Sequence, residues 1–97
     1  MPRNDDPTRL QISILFGIAG LDDPSGADIA DHLEGRHQNR RDAYYRNLDK
    51  LVDRGMVNKN RPDASKRENV YTLTDEGEEM VIEDMEWRQE QVLSYFD

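Results

Sequence analysis

The chain has no cysteine. That excludes a disulfide framework and any zinc site built on thiolates. It also has no long apolar run: hydrophobic residues make up 35% and the mean hydropathy is -0.99, so no segment reads as a membrane span. The first residues, Met1-Pro2-Arg3-Asn4-Asp5-Asp6, lack the basic-then-apolar order of a signal peptide, and a cytoplasmic location is the expectation. Lysine is scarce, with three Lys against ten Arg. At 97 residues there is room for one small domain with a thin core, which makes a partner subunit the natural expectation.

Acidic charge is what the chain has in excess. The net charge is -8, which by itself opposes binding to a polyanion, yet the distribution is uneven. Residues 1–35 carry net -5, residues 36–67 carry ten basic and four acidic groups for net +6, and residues 68–97 carry net -9. A basic middle between acidic flanks is a local electrostatic footprint. The bland alternative is a cluster of solvated charges.

Hydrophobic spacing predicts the elements. A first helix is expected from about Pro7, capped by Asp6 or by the pair Thr8-x-x-Gln11, with Leu10, Ile14 and Ile18 on one face and Gly20 at its end. A second runs from Ser25 to Glu34, opened by a capping box in form, Ser25-x-x-Asp28, and stopped by Gly35. A third starts near Asn39, with Tyr44, Leu48, Leu51 and Val52 as its apolar stripe and Gly55 as its C-terminal glycine. Met56–Arg61 and Asn69–Leu73 then read as two strands of a hairpin with a long polar tip. Thr74 caps a last helix whose first turn, Asp75-Glu76-Gly77-Glu78, is acidic, as the helix dipole prefers.

Helix, helix, helix, hairpin, helix is the order of a winged helix-turn-helix: mainly α with a small β-hairpin. Three segments sharpen this. The stretch from Tyr45 through Leu48, Leu51 and Gly55 to Val57 resembles the Y-x-x-L-x-x-L-x-x-x-G-hydrophobic-V run of PadR-like regulators. Tyr71-Thr72-Leu73-Thr74-Asp75-Glu76-Gly77 resembles their Y-x-L-T-x-x-G entry into the final helix. Ser25-Gly26-Ala27-Asp28-Ile29 is similar to their Y-G-x-E-I start of helix two, with Ser25 and Asp28 as departures. The resemblance implies a homodimeric regulator, most simply a repressor, that binds double-stranded DNA. Residues 1–6 would then be a disordered N-terminus, 7–74 the DNA-binding domain and 75–97 a dimerisation helix. The Asp-rich, Lys-poor composition resembles proteins of salt-loving archaea, which implies a haloarchaeon or its virus. Acidic side chains hold water at a surface where salt has screened ordinary repulsion.

Candidate residues follow from that frame. A recognition helix places its N-terminal part in the major groove, where Arg reads guanine and Asn or Gln reads adenine. Gln38, Asn39, Arg40, Arg41, Tyr45 and Arg46 occupy this region, and Lys50 lies further along toward phosphate. Lys59 and Arg61 on the incoming strand, with Lys66 and Arg67 at the tip, form a wing suited to backbone or minor groove. The alternative for the wing is ordinary protection of a strand edge by charge. Met80, Met85, Trp87, Val92, Tyr95 and Phe96 are more apolar surface than one small subunit covers, and they predict a dimer seam. His32, one helical turn from Asp28, and His37 do not make a metal site, and no cofactor is expected. The carboxylates from Glu76 to Glu90 read as a solvated face, so no catalytic group is identified and an enzyme is not expected. No small-molecule effector is identified either. The rival reading is a winged helix used as a protein-interaction module that does not read DNA.

Overall fold

In the computed structural model, which describes residues 6–36, 39–62 and 68–97, the elements run α1 (Arg9–Gly20), α2 (Gly26–Leu33), α3 (Arg41–Asp53), β1 (Val57–Asn60), β2 (Val70–Leu73) and α4 (Asp75–Phe96). This is a winged helix. The first five residues and the wing-tip segment 63–67 lie outside the described residues.

Local hydrogen bonding fixes where the helices begin. α1 opens at Arg9 rather than Pro7, because Thr8 and Gln11 satisfy one another. The Gln11 amide donates to Thr8 Oγ1 at 3.2 Å, and the Thr8 amide donates to Gln11 Oε1 at 3.0 Å. Ser25 and Asp28 form the same reciprocal box at 3.0 and 3.1 Å, so aspartate serves where glutamate is usual. α3 starts two residues later than its sequence suggests. Arg40 holds the N-cap position in an extended conformation with no side-chain cap, and Asn39 is engaged instead with the Tyr44 hydroxyl.

The three helices and the hairpin close on one core. Ile14, Leu15 and Ile18 from α1 meet Ile29, Ala30 and Leu33 from α2 and Tyr44, Leu48 and Leu51 from α3. Met56, Val57 and Tyr71 seal it from the wing side. Burying each Ile or Leu contributes roughly 1.5–3 kcal/mol before the entropy of ordering the chain is set against it. β1 and β2 pair antiparallel, from Val57 opposite Leu73 to Asn60 opposite Val70. A third, single-residue rung has no counterpart in the hydrophobic pattern: Ser25 bridges Val70, and the Tyr71 amide donates to the Pro24 carbonyl at 2.9 Å. It fastens the start of α2 to the wing.

α4 enters through Thr74. Its Oγ1 accepts from the Gly77 amide at 3.1 Å and donates to the Gly55 carbonyl at 2.6 Å, while its amide donates to the Met56 carbonyl at 3.1 Å. Gly77 is buried and Met80 and Val81 pack half-buried on the core, but from Met85 to Asp97 every residue is exposed. At 1.5 Å per residue the helix is about 33 Å long. Its projection stretches the molecule to 54 Å along one axis and gives a radius of gyration of 14.5 Å, against about 13 Å for a compact domain of 100 residues. No helix among the described residues is long and apolar enough to cross a membrane.

Candidate nucleic-acid interface

α3 presents two faces. Tyr44, Leu48 and Leu51 face the core with Val52 packed against it, Ala43 and Asn47 are half-buried, and Arg41, Asp42, Tyr45, Arg46, Asp49, Lys50 and Asp53 stand on the outer surface. Of the residues expected to read DNA, Arg40, Arg41, Tyr45, Arg46 and Lys50 all lie exposed there, with Asn39 exposed just before the helix. Lys59 on β1 and Arg61 beyond it continue the same run of cations onto the wing. Gln38, His37, Lys66 and Arg67 fall outside the described residues.

A buried polar relay holds α3 from behind. Gln11 is 5% exposed; its Nε2 donates to Asn47 Oδ1 at 3.0 Å, and Asn47 Nδ2 donates to the Ala43 carbonyl at 2.8 Å. Arg54 Nη1 reaches Gln11 Oε1 at 3.5 Å. Buried amides left without partners would cost about 1–3 kcal/mol each, so this network specifies one seating of α3 on α1. The sequence shows Gln11 only as a cap, since nothing local marks a partner 36 positions away.

Tyr45 does not stand free. Its ring lies over Gly26 at the start of α2, where an added Cβ would fall 2.5 Å from Cε1. Only glycine lets the ring lie this close to the start of α2. The ring also borders a cleft of about 330 Å³ between α3 and the wing, with Ala27, Asp49, Lys59 and Asn69 among its walls.

Carboxylates accompany three of the cations. Arg41 is hydrogen-bonded and ion-paired with Asp31 of α2. Its guanidinium is held above the usual arginine value, first by that hydrogen bond and then by the charge of Asp31. Arg46 lies 3.6 Å from Asp42 one turn back, and Lys59 lies 3.6 Å from Asp49. Among the described residues Arg40, Lys50 and Arg61 form no ion pair. Only the Asp42–Arg46 spacing is visible in the sequence as a helix-surface pair.

The dimer candidates on α4 divide. Met80 packs half-buried on its own core. Ile82, Met85, Val92 and Phe96 are exposed at spacings of three, seven and four residues, with Leu93 beside them, which places them on one face. Ile82 and Leu93 extend this stripe beyond the residues that the sequence pattern singles out. Trp87, 61% exposed, falls on roughly the opposite side of the helix, and Tyr95 is stacked edge-on against Phe96 near its end. Asp28 and His32 are exposed, and no group of three His, Asp or Glu that could hold a metal occurs among the described residues.

The profile described as "Transcriptional regulator PadR-like family" matches residues 15–83. No curated protein matches the chain by sequence. RosR of H. salinarum is 34% identical with a TM-score of 0.79, over 92% of this chain and 80% of its own. RosR in a complex structure is 35% identical with a TM-score of 0.77, over 87% and 74%. RV1404 from Mycobacterium tuberculosis has a TM-score of 0.83 at 22% identity, and the chain spans only 60% of its length, so that likeness is one of fold.

Proposed function

Because the chain belongs to the PadR-like family of transcriptional regulators, and is thus a DNA-binding regulator in kind, we propose that it is a homodimeric, sequence-specific repressor of double-stranded DNA working in a salt-rich cytosol. The observation that carries this reading is the outer surface of α3. Arg40, Arg41, Tyr45, Arg46 and Lys50 are exposed along it in a chain that is otherwise acidic, and Lys59 and Arg61 extend it onto the wing. Arg40 and Arg41 stand at the helix N-terminus, the part that enters a major groove, while Lys50 sits where phosphate runs past.

Two copies would place two such helices in successive major grooves, about 34–36 Å apart, and occlude a promoter. The unpartnered apolar stripe of α4 supports the dimer, since monomeric proteins rarely leave such a stripe in water. The Asp-rich, Lys-poor surface and the likeness to RosR of H. salinarum support the saline habitat.

The deciding experiment is a mobility shift with duplex DNA from upstream of the protein's own gene. Binding that Lys50→Ala weakens on every duplex, and that Arg41→Ala or Arg46→Ala weakens more on the specific duplex than on random DNA, supports the reading. No shift at micromolar protein, at any salt, would instead make the fold a protein-interaction module.

A further inference from the structure

We propose that Asp31, Asp42 and Asp49 are built-in counterions of the DNA-facing surface: they occupy Arg41, Arg46 and Lys59 in the free protein, and on binding they take up the cations that the phosphates release. This rests on the reading that α3 and the wing meet DNA.

The observation is the pairing itself. Three of the six described cations at this surface are each matched by one carboxylate, drawn from α2 and from α3. The pairs hold little else together. The side chains of Asp31, Asp42 and Asp49 are 62%, 65% and 64% exposed, and water and salt reach both members of every pair. Exposed pairs of this kind contribute little to stability, so DNA can displace the carboxylate at small cost.

Cation balance then gives the consequence. When a bare lysine or arginine meets a phosphate, the cation condensed on that phosphate is freed, and affinity falls with salt by about 0.9 in log–log slope per contact. When the same side chain first leaves a carboxylate, that carboxylate becomes an unpaired negative charge beside the phosphate backbone. It recruits a cation in turn. Release and uptake offset one another, and the contact becomes nearly independent of salt. A protein reading DNA through such pairs gains less at low salt and keeps its affinity where a basic surface would lose it. The acidic groups therefore set the salt response at the contact itself, and not only through the long-range charge of the molecule.

The test compares two triple variants with equal change in charge. One is Asp31→Asn with Asp42→Asn and Asp49→Asn. The other is Asp22→Asn with Asp53→Asn and Asp97→Asn, exposed carboxylates that form no ion pair among the described residues. Affinity for one duplex is measured by fluorescence anisotropy from 0.2 to 3 M KCl. The first variant should bind more tightly at 0.2 M and lose affinity more steeply, by as much as about 0.9 in slope for each pair removed. The second should leave the slope unchanged. Asp42→Asn alone, which breaks a pair within one helix, should steepen the slope by about a third as much and serves if the triple variant fails to fold.

An unchanged slope in the first variant, with Arg40→Ala and Lys50→Ala still weakening the wild type, overturns the counterion role and leaves the DNA reading standing. Equal steepening in both triple variants overturns it too, in favour of overall charge. Loss of the effect of Arg40→Ala and Lys50→Ala removes the DNA reading itself, and the counterion role with it.

Discussion

Gly77 lies so close to the chain at Met56 that a Cβ at this position would fall 2.1 Å from the Met56 carbonyl oxygen. The obstacle is backbone already held by the Thr74 amide, so it cannot swing aside as a side chain would. Gly77→Ala should therefore push α4 off the hairpin and destabilise the fold by about 1–3 kcal/mol, as overpacking does. Urea denaturation measures it, and a midpoint equal to that of the wild type would show that α4 can shift freely. Thr74→Ala should cost about 1 kcal/mol through loss of the cap.

The contact of Gly26 with Tyr45 has the opposite character, because the obstacle is a side chain. Gly26→Ala should displace the Tyr45 ring and disturb the N-terminal half of α3. Paired with Tyr45→Ala it should show a coupling of about 0.5–3 kcal/mol in a double-mutant cycle, since removing the ring makes room for the methyl. Additive effects would mean that the two helices move apart without cost.

Alkaline pH should unfold the protein through its core tyrosines. Burial pushes the Tyr44 hydroxyl up, with the charge of Glu34 adding to it. Burial does the same at Tyr71, where Lys59 works against the rise. The native chain thus keeps these protons at a pH where the unfolded chain has lost them. Their contribution is complete below about pH 10, the ordinary tyrosine value, and is lost as pH rises through the raised native values. The urea midpoint should be level up to that point and then fall, and Tyr71→Phe should fall less. An identical titration of Tyr71→Phe would remove Tyr71 from this account.

Association should depend on one face of α4. Met85→Asp with Val92→Asp is expected to give monomers in light scattering at micromolar concentration, whereas Trp87→Asp, on roughly the opposite side, should remain dimeric. A monomeric Trp87→Asp would move the seam around the helix.

Salt should stabilise the fold as well. Segments of net -5 and -9 repel one another across a Debye length of about 10 Å at 0.1 M salt, which shrinks to about 3 Å at 1 M. The melting temperature should rise as KCl approaches molar concentration. A flat melting curve would mean that the acidic surface does not strain the fold.

Most of the fold is legible in the sequence because it is written in local rules. The apolar stripes, the Ser25 box, the Thr74 cap and Gly55, with φ of 77°, each act within a few residues. The parts not legible join distant positions. Nothing near Gln11 points to Asn47, no alternation marks the Ser25–Val70 rung, and Asp31 looks like any exposed helix carboxylate until α3 lies beside it. At the candidate interface the cations could be read as a cluster, but not which of them arrive with a partner. The start of α3 is hidden for a related reason: Asn39 has the chemistry of a cap, and tertiary structure engages it with Tyr44.

The outer part of α4 has one more consequence. From Met85 to Phe96 every residue is exposed, with Arg88 bordering a cleft against α1, and a run of about a dozen residues is near the lower limit at which a helix persists alone in water. In a dimer held by this face, how helical each molecule is becomes a function of how many molecules there are. Dilution should melt the end of the helix before the core loosens, and the ellipticity per residue should fall with concentration while Tyr44 stays buried.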